Sequence, residues 1–177
     1  MISRRTFLLM ATAGCAASLS TQAFASVLPR SERKLRLYNL HTGEKLASTY
    51  WAQGEYLEQE LAAVNYFLRD YRNDAIDRID PRLLDQLCLL QHKVEHNGAF
   101  HIISGYRSPE TNAWLRHHET GVAKHSLHMQ GRAIDLRLPG VELKHLRQAA
   151  LSMHAGGVGF YAKSNFIHLD TGRRRYW

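Results

Sequence analysis

Eleven histidines in 177 residues is a rich supply, and two stretches set imidazoles beside carboxylates. Residues 126–135 read Ser-Leu-His-Met-Gln-Gly-Arg-Ala-Ile-Asp, an S-x-H-x-x-G-x-A-x-D run, and residues 166–170 read Phe-Ile-His-Leu-Asp. In the first stretch His128 belongs in a loop and Gly131 allows a tight turn. Asp135 then falls in a strand whose residues 133, 135 and 137 share one face while Ile134, Leu136 and Leu138 share the other. In the second stretch Ile167 and Leu169 face a core, and His168 and Asp170 face the opposite way. If the two strands are neighbours, His128, Asp135 and His168 converge. Two imidazoles and one carboxylate suit Zn²⁺ and leave its fourth position to water. Such an ion lowers the pKa of its water to about 7 and polarises a carbonyl, which is hydrolytic chemistry. The remaining polar residues need less. His92, His96, His145 and His154 fall on helical segments with charged neighbours, and His117 and His118 sit at a helix end, where cations are favoured.

The elements that must position these groups are legible as periodicities. Residues 34–40 alternate as a strand, His41-Thr42-Gly43-Glu44 is a turn, and residues 45–51 return as a hairpin partner. Residues 55–71 carry Leu57, Leu61, Val64, Phe67 and Leu68 at helical spacing. After a polar break at 73–80, Pro81 opens a second helix with Leu84, Leu87, Cys88 and Val94 inward. A short apolar strand at 99–104, a brief helix at 109–117, a strand at 132–138 and a helix at 141–152 follow. Residues 157–161 and 166–170 read as closing strands. The expected fold class is α+β, with a small, mostly antiparallel sheet carrying the site and helices packed on one side.

Length bounds the chain to one main domain, expected over residues 26–177, and an apolar share of 45% with 22% charged residues is ordinary for a globular protein. Residues 1–25 read as an export signal. Arg4-Arg5 precede Phe7-Leu8 and an uncharged apolar run to Ala17, and Ala23-Phe24-Ala25 offers a small-x-small cleavage site. The paired arginines resemble the twin-arginine signal. The apolar run is shorter than a spanning helix needs, although a membrane anchor, or lipidation at Cys15, stays open. After cleavage Cys88 is alone, so no internal disulfide is expected, and its apolar helix face makes it a buried, inert thiol. The formal charge of +7, with Arg173-Arg174-Arg175 at the end, suits an anionic envelope polymer or serves solubility alone. A periplasmic monomer with no nucleic-acid partner is expected.

The S-x-H-x-x-G-x-A-x-D run followed by a C-terminal histidine resembles the zinc peptidases that include D-Ala-D-Ala carboxypeptidases, VanX-type dipeptidases and phage endolysins. Ile103-Ser104-Gly105-Tyr106-Arg107-Ser108 resembles their S-G-Y-R-S segment. Gly156-Gly157-Val158-Gly159-Phe160-Tyr161 and Phe166 to Gly172 resemble the exported murein endopeptidase branch, of murein endopeptidase K type. The resemblance implies a hedgehog/D-Ala-D-Ala peptidase-like fold and a peptidase that opens peptidoglycan cross-links. The bond is D-Ala to diaminopimelate, diaminopimelate to diaminopimelate, or both. It implies His128, Asp135 and His168 as ligands of one Zn²⁺, and Arg107 as the group that holds a substrate carbonyl or carboxylate. Ser126 either hydrogen-bonds substrate or caps its own loop.

One departure stands out. Other branches place Glu or Asp three residues before the last histidine as general base, and here that position is Asn165. Asp170 is then the local carboxylate that serves as base or orients a ligand. His125 is the reserve base or substrate contact. Two other readings remain: a carboxypeptidase or dipeptidase trimming stem-peptide ends, and a zinc-containing module that binds wall peptides without cutting them.

Overall fold

Alternating burial along β1 (Glu32–Asn39) puts Leu35 and Leu37, flanked by Arg33 and Asn39, on one buried face. The computed structural model describes residue 28 and residues 31–177; the expected signal at 1–25, including Cys15, lies outside the described residues. β2 (Lys45–Ala52) returns antiparallel to β1, and β3 (Glu55–Tyr56) pairs with β2. Then come α1 (Glu58–Phe67), α2 (Pro81–Lys93), β4 (Phe100–Ser104), α3 (Pro109–His118), a 3₁₀ turn (Leu127–Gln130), β5 (Ala133–Arg137), α4 (Leu143–Ser152), β6 (Gly157–Tyr161), β7 (Phe166–Asp170) and β8 (Arg175–Tyr176).

Among the described residues all the strands join one eight-stranded sheet in the order β3-β2-β1-β4-β5-β7-β6-β8. The α+β class holds, but the sheet is larger than the small, mostly antiparallel one expected and is mixed, with β1–β4 and β6–β8 parallel. The chain reaches β4 from β1 only after β2, β3 and two helices, a crossover of the length a parallel pairing requires. The edge strands β3 and β8 hold two residues each, too few to show alternation in the sequence and short enough to limit edge pairing with other chains.

Helix limits follow local chemistry. Asp80 caps α2 through its side chain with Pro81 at the first position, and Ser108 does the same for α3 ahead of Pro109. The helix expected over 55–71 is shorter. Its first two residues pair as β3, and beyond Phe67 the Leu68 carbonyl accepts from Tyr106 N (2.7 Å) while Asp70 N bonds Ala75 O (2.9 Å).

One apolar core joins α1, α2 and α4 to a single face of the sheet, through residues such as Leu84, Leu146, Ile102, Ile134, Leu136 and Ile167. Leu115 of α3 is buried but lies outside that cluster, so three of the four helices among the described residues share the face. At the β1–β3 end, Asp85 of α2 accepts from Arg33 (2.7 Å), Tyr50 (3.0 Å) and Tyr56 (2.6 Å), pinning the helix to three strands. Cys88 is a free, buried thiol, and burial raises its pKa. Among the described residues no helix is long and apolar enough to cross a membrane.

Candidate metal centre

β5 and β7 are adjacent and antiparallel, and their register sets Asp135 directly opposite His168. Since Ile134, Leu136, Ile167 and Leu169 occupy the core face, period-two alternation turns Asp135 and His168 to the other face. His128 reaches them from the 3₁₀ turn. Gly131 ends that turn at φ +61°, and a side chain there would collide with the Arg78 carbonyl. The expected tight turn is therefore present, and it requires glycine.

The three side chains offer ligand atoms within 4.8 Å of one another, and all three residues are buried. His128 Nε2 lies 3.3 Å from His168 Nδ1 and 3.3 Å from Asp135 Oδ2, and His168 Nδ1 lies 2.8 Å from Asp135 Oδ1. Ligands bonded at 2.0–2.1 Å to a tetrahedral ion sit about 3.3 Å apart, so these atoms fit a small divalent cation with little adjustment. The outward nitrogens are fixed as well. His128 Nδ1 lies 2.7 Å from the Gly105 carbonyl, which can only accept, so the Nε2 lone pair is left for a metal.

The opposite tautomer is set at His168. Its Nε2 meets Asp170 Oδ2 at 3.0 Å, leaving Nδ1 toward Asp135. Asp170 is fully buried. Its Oδ1 accepts from Gly157 N (3.0 Å) and Gly172 N (2.8 Å), and Arg175 spans both oxygens at 3.1 and 2.6 Å. A side chain at Gly157 would strike this carboxylate and Arg175, which explains a glycine there. Asp170 thus stands behind the His168 ring, on the side away from the ligand atoms.

Burial pushes the Asp135 carboxyl up, but His128 and His168 outweigh it and hold it below the usual carboxylate range. The same contest at Asp170 is settled by His168, Arg175 and the two backbone N–H groups, again downward. At His168 burial lowers the imidazole, and Asp135 with Asp170 overrides it, raising its pKa above the ordinary histidine value.

A cleft of about 450 Å³ lies over these three side chains, walled by Arg107, the 119–127 loop, Tyr161, Phe166 and Trp177. Arg107 N donates to the His128 carbonyl (3.2 Å), its Nη1 reaches Asn112 at 3.5 Å, and its buried Nε has no partner. Burial lowers its pKa, and Asp135 opposes that. His125 is exposed on the cleft wall. Ser126 is buried and its Oγ accepts from His128 N at 3.3 Å, which is the capping arrangement. Asn165 is exposed at φ +53° between β6 and β7 and is not among the cleft residues.

Several contributors are not apparent from the sequence. Arg175 reads there as part of a basic run, yet it holds Asp170. The Trp177 ring lies tilted with its centroid 5.3 Å from that of His168, and its Nε1 donates to Tyr161 Oη at 2.9 Å. Glu119 is, with Asp135, one of two carboxylates on the cleft wall. A close-packed Gly159, whose side chain would meet the Trp177 ring, is the nearest thing to a signal for the aromatic wall.

The sequence profile of the family described as peptidoglycan L,D-endopeptidase MepK matches residues 28–177. Peptidoglycan L,D-endopeptidase MepK of Escherichia coli (strain K12) is 48% identical over 162 residues, covering 92% of this chain and 89% of that relative. The probable peptidoglycan L,D-endopeptidase MepK of Haemophilus influenzae is 38% identical over 160 residues, covering 90% and 86%. With the peptidase motifs folded into one cluster that can hold a metal and similarity over nearly the whole length, the chain belongs to the MepK family of peptidoglycan endopeptidases.

Proposed function

We infer that this chain is a metal-dependent endopeptidase that hydrolyses the peptide cross-links of peptidoglycan. The observation that carries this reading is the convergence of His128 Nε2, His168 Nδ1 and the Asp135 carboxylate below a cleft. Three protein ligands and an open side are the arrangement of hydrolytic rather than structural zinc, and Zn²⁺ is the ion we assign. When bound, it supplies Lewis acidity to the scissile carbonyl and to the attacking water.

The chain's own residues do the rest. His128 and His168 are held in opposite tautomers by the Gly105 carbonyl and by Asp170. Arg107 presents spare guanidinium donors to the cleft and takes the charge that develops on the carbonyl oxygen. Asp170, with every lone-pair direction engaged, orients His168 rather than moving a proton at the water. Ser126 shapes the turn that carries His128. His125 lies on the exposed rim, where it meets substrate.

An endopeptidase must admit a chain continuing on both sides of the bond. The exposed rim residues Gly121, Ala123, His125 and Tyr161 suit that better than the closed pocket a carboxypeptidase needs. The relatives' names specify an L,D-bond, which favours the diaminopimelate–diaminopimelate link. Residues 1–25 then serve as the twin-arginine export signal that brings a monomeric enzyme to its polymer in the periplasm.

The test is digestion of purified peptidoglycan with zinc-loaded and chelated protein, followed by mass spectrometry of the released muropeptides. Cross-linked dimers converting to monomers only with zinc is the expected result. Persistence of dimers with wall material bound would favour a non-catalytic binding module.

A further inference from the structure

The Arg173-Arg174-Arg175 run divides at the sheet edge. Arg175 turns to Asp170, whereas the Arg174 guanidinium faces α4, where its Nη2 donates to His154 Nδ1. His154 accepts through a ring lone pair and brings no negative charge to that contact. Along α4, Arg147, Ala150 and Leu151 recur at i, i+3 and i+4 and so form one stripe, and His154 follows just past the helix end. Between that stripe and Val158 and Tyr176 lies a cavity of about 440 Å³, on the core side of β6 and separate from the metal cleft. Arg175 is the one residue common to both linings.

Of the three guanidiniums on this cavity, Arg175 is paired with Asp170, whereas Arg147, which lies 5.1 Å over the Phe160 ring, and Arg174 have no counter-charge among the described residues. No carboxylate lines it. Among the described residues neither Arg147 nor Arg174 takes part in an ion pair. Arg147 Nε is closed off from water and has no hydrogen-bond partner, although buried donors are ordinarily paired. The walls between the guanidiniums are apolar: Ala150, Leu151 and Val158. A cationic rim over an apolar floor fits an anion attached to a small apolar body, since an inorganic oxyanion would leave the floor uncovered.

We propose that the cavity between α4 and the β6–β8 edge binds the carboxylate end of a short peptide with small apolar side chains. Arg147 and Arg174 hold the carboxylate, and Ala150, Leu151 and Val158 receive the side chains. The site gives the protein a second hold on the polymer, since uncut stem peptides end in alanine carboxylates. That choice of peptide rests on the peptidoglycan reading, whereas the anion chemistry stands without it.

The test is an amide-shift NMR titration of the metal-loaded protein with N-acetyl-D-alanyl-D-alanine. Its uncharged C-terminal amide and inorganic phosphate serve as comparison probes. Expected are shifts at residues 147–158 and 174–176 with the peptide acid and none with the amide. Binding should weaken about tenfold or more in Arg174→Met and in Arg147→Met, each loss being that of a charge-assisted contact. Arg174 is exposed, so its replacement leaves the fold intact, and Arg107→Met, which alters the metal cleft, should leave these shifts in place. Shifts confined to the cleft, shifts equal for acid and amide, or binding of phosphate alone would overturn the proposal. Failure to cut peptidoglycan would not produce any of these results and would count against the endopeptidase reading only.

Discussion

Asp170 Oδ2 and His168 Nε2 lie 3.0 Å apart, and this contact fixes which nitrogen of His168 faces Asp135 and His128. A carboxylate behind a ligating imidazole locks its tautomer and raises its basicity. Asp170→Asn keeps the shape and removes the charge. Metal affinity should fall by about 10–100-fold, measured by competition with a chromophoric chelator, and the acid limb of the activity profile should persist. Loss of that limb with metal affinity unchanged would instead make Asp170 the proton acceptor.

Arg175 spans both Asp170 oxygens, with Nη2 at 2.6 Å from Oδ2. Arg175→Met should therefore weaken metal binding in the same direction as Asp170→Asn. The two changes should be strongly non-additive, because each removes the same chain of contacts. Chelator competition on the two single variants and the double variant reads the coupling directly. Additive losses would mean that Arg175 acts only on the wall of the cleft.

With His168 as a metal ligand, protons and metal compete for its ring. Its pKa in the metal-free protein is raised, despite burial, by Asp135 and Asp170. A raised imidazole stabilises the metal-free fold fully below its unfolded value of about 6.5 and ceases to do so as pH rises through the higher folded value. Binding a metal requires that proton to leave. Affinity should thus fall about tenfold per pH unit below the folded value when one proton is displaced. The opposite sign holds for Asp135 and Asp170, whose lowered values stabilise the fold above about pH 4, a contribution lost as pH falls through them. Chelator competition between pH 5 and 8, with urea midpoints carried to lower pH, separates the two ranges.

The convergence of the candidate ligands was legible because they obey local rules. Asp135 and His168 sit at alternate positions in strands whose apolar partners mark the core, and Gly131 marks a turn. What the sequence hid were relations with no period. Asp170 and Arg175 are five residues apart in a segment without a repeating pattern, and the Gly105 carbonyl reveals nothing through its side chain. The two-residue strands β3 and β8 fall below the length at which alternation can be recognised, so the sheet looked smaller than it is. The parallel β1–β4 pairing depends on a crossover of some sixty residues (from Asn39 to Phe100), which no local window spans.

Gly131 tests how tightly the turn sets His128. At φ +61°, with the Arg78 carbonyl where a side chain would go, Gly131→Ala faces both an unfavourable backbone conformation and a clash. The cost should exceed about 1 kcal/mol. Movement of the turn also displaces His128, so metal affinity should drop with stability. Urea unfolding and chelator competition on one preparation check both.

Asp85 should matter to stability and not to chemistry. Its carboxylate joins Arg33, Tyr50 and Tyr56 at the end of the sheet remote from β7. Asp85→Ala leaves a largely buried guanidinium unpaired and should cost about 3 kcal/mol. The urea midpoint should fall with an unchanged slope, and metal affinity of the folded protein should stay at the wild-type value.

Arg107 separates charge from geometry at the cleft. Its backbone N–H is tied to the His128 carbonyl and its buried Nε is unpartnered, so the guanidinium is placed without being used up by the protein. Arg107→Lys keeps a cation but loses the planar fork. If the fork holds the carbonyl oxygen as charge develops on it, kcat should fall by about 10²–10³-fold. KM and metal affinity should change little, because the interaction strengthens only as the bond breaks. A rise in KM at constant kcat would assign Arg107 to a ground-state carboxylate of the stem peptide instead. Measuring both constants on a defined cross-linked muropeptide dimer distinguishes the two roles.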